Sequence, residues 1–268
     1  VLGLWAGARV WAPLLAIAVV AGYVSGVLVG PAAVWIALLA AACVAYGRFR
    51  SIARWLAAFM VIAISVLLGL HALPGFHNAL VAKNLVLSPG AAPFTLYLNF
   101  DKTTAGILIV GICHRHLLRY GREWGAAFRR AVPIILVNTA VLVFLSMSVG
   151  FLTWQPKWTP FFWIWAPTNL LLTCLSEEAF FRGFIQHELQ GALSGMRHGG
   201  IIALVTSAAL FGLAHFAGGW TYVMLAGVAG VGYGLAYQMT GGRLEASMAA
   251  HFTLNTVHFL LFTYPRIA

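Results

Sequence analysis

Long apolar runs separated by short polar or basic connections repeat along the whole 268-residue chain. A helix crosses the hydrocarbon core of a bilayer with about 20 mostly apolar residues. By that rule the chain holds nine candidate spans, at roughly 10–29, 31–46, 55–74, 103–118, 131–151, 160–187, 200–217, 220–240 and 244–264. Eight is the alternative count, because the second, fourth and seventh runs are short. Strand-like alternation is sustained nowhere, and backbone polar groups in lipid must be satisfied within their own segment, so helices are expected. The expected fold class is all-α: a polytopic transmembrane helix bundle with about eight or nine spans. The connections are punctuated by basic stretches, "GRFRSIAR" (47–54) and "HRHLLRYGREWGAAFRR" (114–130), and by turn-rich ones, "LSPGAAP" (87–93) and "WQPKWTP" (154–160). The longest non-spanning stretch, 75–102, has room for a short interfacial helix.

Composition agrees with this reading. The chain is 62% hydrophobic and 8% charged, with a mean hydropathy of +0.90. A soluble domain has about 45–50% apolar and about 25% charged residues. The net charge is +10, but the cations sit in loops between apolar runs, where they set topology. No basic, aromatic-interleaved face lies outside the bilayer, which argues against nucleic acid as a partner. With nine spans, 12 of the 16 Lys and Arg fall on one side and Lys83, Lys102, Lys157 and Arg266 on the other. The positive-inside rule then puts the N-terminus in the cytoplasm, and the expected location is an integral, multi-pass place in a bacterial plasma membrane. The first run, "VLGLWAGARVWAPLLAIAVV", shows no clear cleavage site and reads as a retained span. The three cysteines, Cys43, Cys113 and Cys174, form no CxxC pair and read as small buried side chains. Glycines 227–234 do not follow a nucleotide-loop pattern; Gly230 and Gly234 form a GxxxG pair suited to close helix packing.

Ionisable groups within spans are expensive and mark function by default. The run 160–187 contains "CLSEEAFFRGF", with Glu177, Glu178 and Arg182. On an α-helix Glu178 and Arg182 are i,i+4 neighbours, about 40° apart, in the favourable order for an ion pair. Glu177 and Arg182 lie about 140° apart, which leaves Glu177 to face something else. The next run carries His215, one turn after Phe211 and on the same face. The last carries "AHFTLNTVHF", where His251 and Asn255 share a face and His258 falls near it. A structural ion pair for Glu178 and Arg182, a satisfied core histidine at 215 and interhelical bonding by Asn255 are the plain readings of each feature taken alone. At about 1.5 Å per residue, Glu177 and His215 lie at similar depth from the 191–199 loop, about 20 Å, so a shared intramembrane pocket is allowed.

The three motifs, Glu-Glu-x-x-x-Arg (177–182), Phe-x-x-x-His (211–215) and His-x-x-x-Asn (251–255), stand in order on separate spans. In this the chain resembles the CPBP family, the CAAX-protease and bacteriocin-processing intramembrane endopeptidases, whose eukaryotic member is the Ras-converting CAAX endopeptidase. The resemblance covers about residues 160–260. It suggests a catalytic core over 156–268, while 1–155 add transmembrane helices without a recognised motif. The resemblance implies a glutamate-dependent peptidase in which Glu177 and His215 activate a water and His251 and Asn255 form an oxyanion hole. Glu178, Arg182 and Phe211 complete the motifs in supporting roles. It implies a peptide or membrane-anchored protein as substrate, the lipid bilayer as surroundings, and no cofactor or metal. The chemistry agrees: a shielded carboxylate can serve as general base, and Asn with His can donate to a developing oxyanion.

Other readings start from the same residues. "HELQG" (187–191) lacks the second histidine of H-E-x-x-H, although Glu177, His215 and His251 are reasonable ligands for a metal-dependent peptidase. Ser176 and Ser247 lack a nucleophile-elbow context. A non-enzymatic immunity or scaffold protein would use the polar cluster to hold helices together, and an ion- or proton-linked transporter would use the carboxylates for its cargo. His215 lies within a few residues of the 217–220 connection, so the topology above opens the site to the non-cytoplasmic face.

Overall fold

A computed structural model describes residues 1–114, 117, 118 and 120–268; Arg115 and Arg119 of the basic loop lie outside the described residues. Among the described residues the fold is all-α apart from one hairpin. Nine helices follow the order of the apolar runs among the described residues: α1 (Ala8–Val24), α2 (Ala32–Arg48), α3 (Ser51–Gly69), α4 (Phe100–Leu108, continued by a π turn Ile109–Cys113), α5 (Gly121–Ser148), α6, α7 (Gly199–Ala214), α8 (Trp220–Met239) and α9 (Leu244–Leu261). Helix α6 is one continuous run over 162–192. It is α-helical at Phe162–Thr168, Leu175–Glu178 and His187–Ala192, and π-helical at Asn169–Cys174 and Ala179–Gln186.

By length and apolarity, α3 and α5 are the two helices among the described residues that clearly suffice to cross a membrane. Helices α1, α2 and α7 are apolar but run to 17, 17 and 16 residues, at or below the lower limit for a span. Their outward faces are apolar. Ile17 on α1, Phe59 on α3, Phe144 on α5 and Val205 on α7 are all exposed, which suits contact with lipid acyl chains.

The stretch 75–102 does not hold an interfacial helix. It forms an antiparallel hairpin, β1 (Ala79–Leu85) with β2 (Phe94–Leu98). The turn-forming Ser88-Pro89-Gly90 lies between the strands, and β2, with Phe94, Thr95 and Tyr97, is rich in strand formers; this local chemistry favours a hairpin over a short helix.

The helix ends gather at two poles. At one, Arg54 at the start of α3 bonds Glu188 near the end of α6 (2.7 Å). There too Glu245 at the start of α9 accepts from Trp5 Nε1 (2.7 Å) and from the backbone N–H of Leu118 (2.6 Å), and Arg243 faces Glu123 at 3.6 Å. At the other pole, the hairpin and the loop after α5 meet the C-terminal segment through the bridges Ala91–Ile267 and Trp154–Phe262. Lys157 donates there to the Phe262 carbonyl. Three of the six acidic residues, Glu123, Glu188 and Glu245, thus counter arginines or cap backbone at the arginine-rich pole. The other three, Asp101, Glu177 and Glu178, lie elsewhere.

Helix α6 is shared between two apolar cores. Leu175, Ala179 and Phe184 pack with α2, α3 and α4, and Phe181 packs with α5, α7, α8 and α9. Two close crossings fix its neighbours. A Cβ on Gly106 of α4 would stand 2.7 Å from Ser176 Cα, so only glycine allows α4 so near α6. On α8, a Cβ at Gly230 would meet Ala208 Cα at 3.1 Å. The carbonyls of Gly230 and Gly234 accept from Arg182 Nη2 (3.0 Å) and Gln186 Nε2 (3.1 Å). The GxxxG pair therefore packs helices, as its spacing suggests, and also offers carbonyl acceptors to two α6 side chains.

Candidate active site

Glu177 and Glu178 occupy the single α turn between the two π-helical stretches of α6. π-Helical turns shift side-chain azimuth and recur at functional sites. The predicted ion pair forms: Arg182 Nη1 lies 3.1 Å from Glu178 Oε1, both side chains fully buried. The guanidinium also lies over the Phe211 ring, 4.5 Å from its centroid. The second role of Glu178 was not legible in the sequence. The same Oε1 accepts from His251 Nδ1 at 2.8 Å, so one carboxylate oxygen joins the arginine of α6 to the histidine of α9.

Glu177 points the other way, with its side chain 20% exposed. Its Oε2 lies 3.9 Å from His251 Nε2, and its Oε1 accepts from Lys102 Nζ of α4 at 3.1 Å. A lysine from outside the motif-bearing region therefore holds one oxygen of the carboxylate that the spacing turns away from Arg182.

His215 ends α7, and its Nδ1 lies 2.7 Å from the Phe211 carbonyl. A carbonyl can only accept, so this bond places the proton on Nδ1 and leaves the Nε2 lone pair available. His251 is buried and stacks on Tyr233, with centroids 4.5 Å apart and 14° between the planes. Asn255 Nδ2 donates to Asn169 Oδ1 at 3.1 Å, which leaves its second amide hydrogen free for another acceptor.

Glu177, His215, His251 and Asn255 together line one cavity of about 350 Å³. Phe94 and Leu96 of β2, Gly218, and Tyr264, Pro265 and Arg266 of the C-terminal segment also line it. The cavity therefore reaches toward the pole opposite the arginine-rich one. Asn169, Thr173 and Glu177 line it as well; their spacing of four residues on one helix face was a usable sequence signal for Asn169. Tyr222 packs edge-on against His215, centroids 5.1 Å apart, and no motif pointed to it. Among the described residues, no group of three or more His, Cys, Asp and Glu is arranged to hold a metal ion.

This constellation holds what hydrolysis of an amide needs: a carboxylate on the cavity wall, an imidazole with a free lone pair, and an imidazole and an amide that can donate. Residues 158–257 match the family model of type II CAAX prenyl endopeptidases, Rce1-like. No curated protein and no solved structure matches the chain. The matched family is one of membrane-embedded proteases acting on peptide or protein substrates. The match runs from the residues just before α6 into α9 and contains every residue of the three motifs, and over that region it supports the resemblance to the CPBP family of CAAX proteases.

Proposed function

We propose that the chain is a multi-pass intramembrane endopeptidase of the glutamic type. The observation that carries this reading is the convergence of Glu177, His215, His251 and Asn255, from three helices, on one cavity. Glu177 and the free Nε2 of His215 accept hydrogen bonds from a water, and Glu177 takes a proton as the water oxygen attacks the peptide carbonyl carbon. The carbonyl oxygen becomes an oxyanion, met by His251 Nε2–H and the second amide hydrogen of Asn255. With Nδ1–H facing Glu178, donation from Nε2 as well uses both ring N–H groups of His251. Collapse of the intermediate breaks the C–N bond, and the proton held by Glu177 passes to the leaving amine.

The substrate is a peptide or a membrane-anchored protein segment. The eight-or-nine-span topology rests on the alternation of helix ends between two poles. The arginine-rich pole is cytoplasmic by the positive-inside rule, so the cavity opens to the non-cytoplasmic side of what we take to be a bacterial plasma membrane. Reporter fusions in the 191–199 and 217–220 loops test this sidedness; a cytoplasmic 217–220 loop overturns it.

The test of the chemistry is Glu177→Gln in the full-length protein, assayed against a panel of fluorogenic peptides with and without a prenyl group. Loss of all cleavage in a folded variant is expected, and undiminished cleavage rejects the mechanism. Cleavage that disappears with chelator and returns with added zinc supports the metal-dependent reading instead.

A further inference from the structure

We propose that Lys102 is a positioning residue for the general base, holding Glu177 ionised and oriented so that Oε2 is the oxygen that takes the water proton. The proposal rests on the catalytic reading of Glu177 above and deepens it. Lys102 stands on α4, outside the matched region 158–257.

The position of Lys102 is costly on other grounds. It sits in the first turn of α4, where the helix dipole disfavours a cation. A lysine near the end of a spanning helix ordinarily extends its stem outward so that the ammonium reaches water. This one does not: its side chain is 18% exposed, and Nζ ends on Glu177 Oε1 at 3.1 Å, its hydrogen-bond partner among the described residues.

The backbone around Lys102 is built to hold it there. Asp101, almost fully buried, accepts from the Lys102 backbone N–H through Oδ1 at 2.8 Å. Its Oδ2 accepts from Asn78 Nδ2 at 2.9 Å and lies 2.6 Å from His71 Nδ1. Asn78 Oδ1 accepts from the Phe100 N–H at 2.8 Å. One helical turn on, the contact of Gly106 with Ser176 sets the α4–α6 separation next to Glu177. The anchored helix start and the glycine crossing bracket the lysine and fix where its ammonium falls.

An ammonium and a carboxylate shielded from water each need a partner to stay charged. The other groups facing Glu177 are His215 from α7, His251 from α9 and Tyr222 from α8, with Cys174, Glu178 and Arg182 on α6 itself. Arg182 is committed to Glu178. Lys102 is therefore the cationic side chain that bonds Glu177 directly, at 3.1 Å against 3.9 Å for the nearest imidazole nitrogen. By occupying Oε1 it also leaves Oε2, on the His251 side, as the open oxygen.

The experiment compares wild type, Lys102→Met, Lys102→Arg and Glu177→Gln, full length in detergent, on a fluorogenic peptide that the wild type cleaves. For Lys102→Met, kcat falls about 10- to 100-fold with KM within about twofold, and the acid limb of the kcat/KM–pH profile moves up by about one unit or more. Lys102→Arg, which keeps the charge and a donor, recovers most of the rate and the wild-type limb. A role confined to packing lowers thermal stability without moving the limb. Infrared difference spectra against Glu177→Gln read the Glu177 carboxyl band without turnover. The protonated band appearing at higher pH in Lys102→Met supports the proposal even where that variant is too weak to assay. An unmoved band and limb in a folded Lys102→Met, with Glu177→Gln inactive, overturn this inference alone. Activity in Glu177→Gln overturns the underlying catalytic reading.

Discussion

His251 Nδ1 lies 2.8 Å from Glu178 Oε1, the same oxygen that pairs with Arg182. Glu178 thus has two tasks, neutralising a buried guanidinium and orienting an imidazole, and the two can be separated. Glu178→Ala leaves Arg182 buried and unpaired, which costs about 3–5 kcal/mol of stability. The double variant Glu178→Met with Arg182→Met removes both charges and recovers most of that loss. Activity stays low in the double variant because His251 has lost its acceptor. Thermal unfolding and peptide cleavage on the same preparations measure the two quantities.

Asn255 reaches the cavity wall with one amide hydrogen held by Asn169. If the other meets the oxyanion, Asn255→Ala lowers kcat by about 10²–10³-fold with little change in KM. Asn169→Ala loosens the amide without removing it and gives a smaller loss. Steady-state kinetics on the pair resolves the order, and equal losses would contradict the assignment.

The α4–α6 crossing leaves no room at Gly106, where a Cβ would approach Ser176 Cα to 2.7 Å. Gly106→Val forces the helices apart at a cost of about 1–3 kcal/mol and lengthens the Lys102–Glu177 contact. Lower melting temperature together with reduced kcat is the expected result. A stable variant with full activity would show that the crossing does not set the site.

Outside the helices, burial pushes Lys157 down to about 8 from 10.5. Its folded pKa is below its unfolded one, so the unfolded chain binds more protons between those values and stability rises with pH across that window. Thermal unfolding at pH 8, 9 and 10 should show this rise in wild type and a shallower one in Lys157→Met. The effect is modest because the side chain is partly solvated.

Much of the site was legible because intramembrane charges are rare enough to stand out. The spacing of Glu178 and Arg182 gave their pairing, and three separated motifs gave the residues that meet at one cavity. The missing parts share a physical cause. Lys102 reads as an ordinary interfacial cation, and it is the anchored start of α4 and the Gly106 crossing, 70 residues before its contact on Ser176, that turn it toward Glu177. The second bond of Glu178, to His251, needs the relative placement of α6 and α9, which no local pattern encodes. The hairpin at 79–98 carries no clear period-2 signal because its strands are short and bulged. The π-helical stretches of α6 leave no mark in hydrophobic periodicity that distinguishes them from an α-helix.

Those π stretches make the direction of Glu177 depend on how many residues precede it as well as on which they are. A π turn accommodates one residue more than an α turn in the same rise. Relaxation of Asn169–Cys174 to α geometry at unchanged length would turn everything beyond it by about 100° relative to everything before it, whereas deleting one residue along with that relaxation would leave the two sides nearly aligned. Because Asn169 opens this stretch and Glu177 follows it, relaxation at unchanged length would part the two along the cavity wall, although every side chain named in the mechanism would still be present.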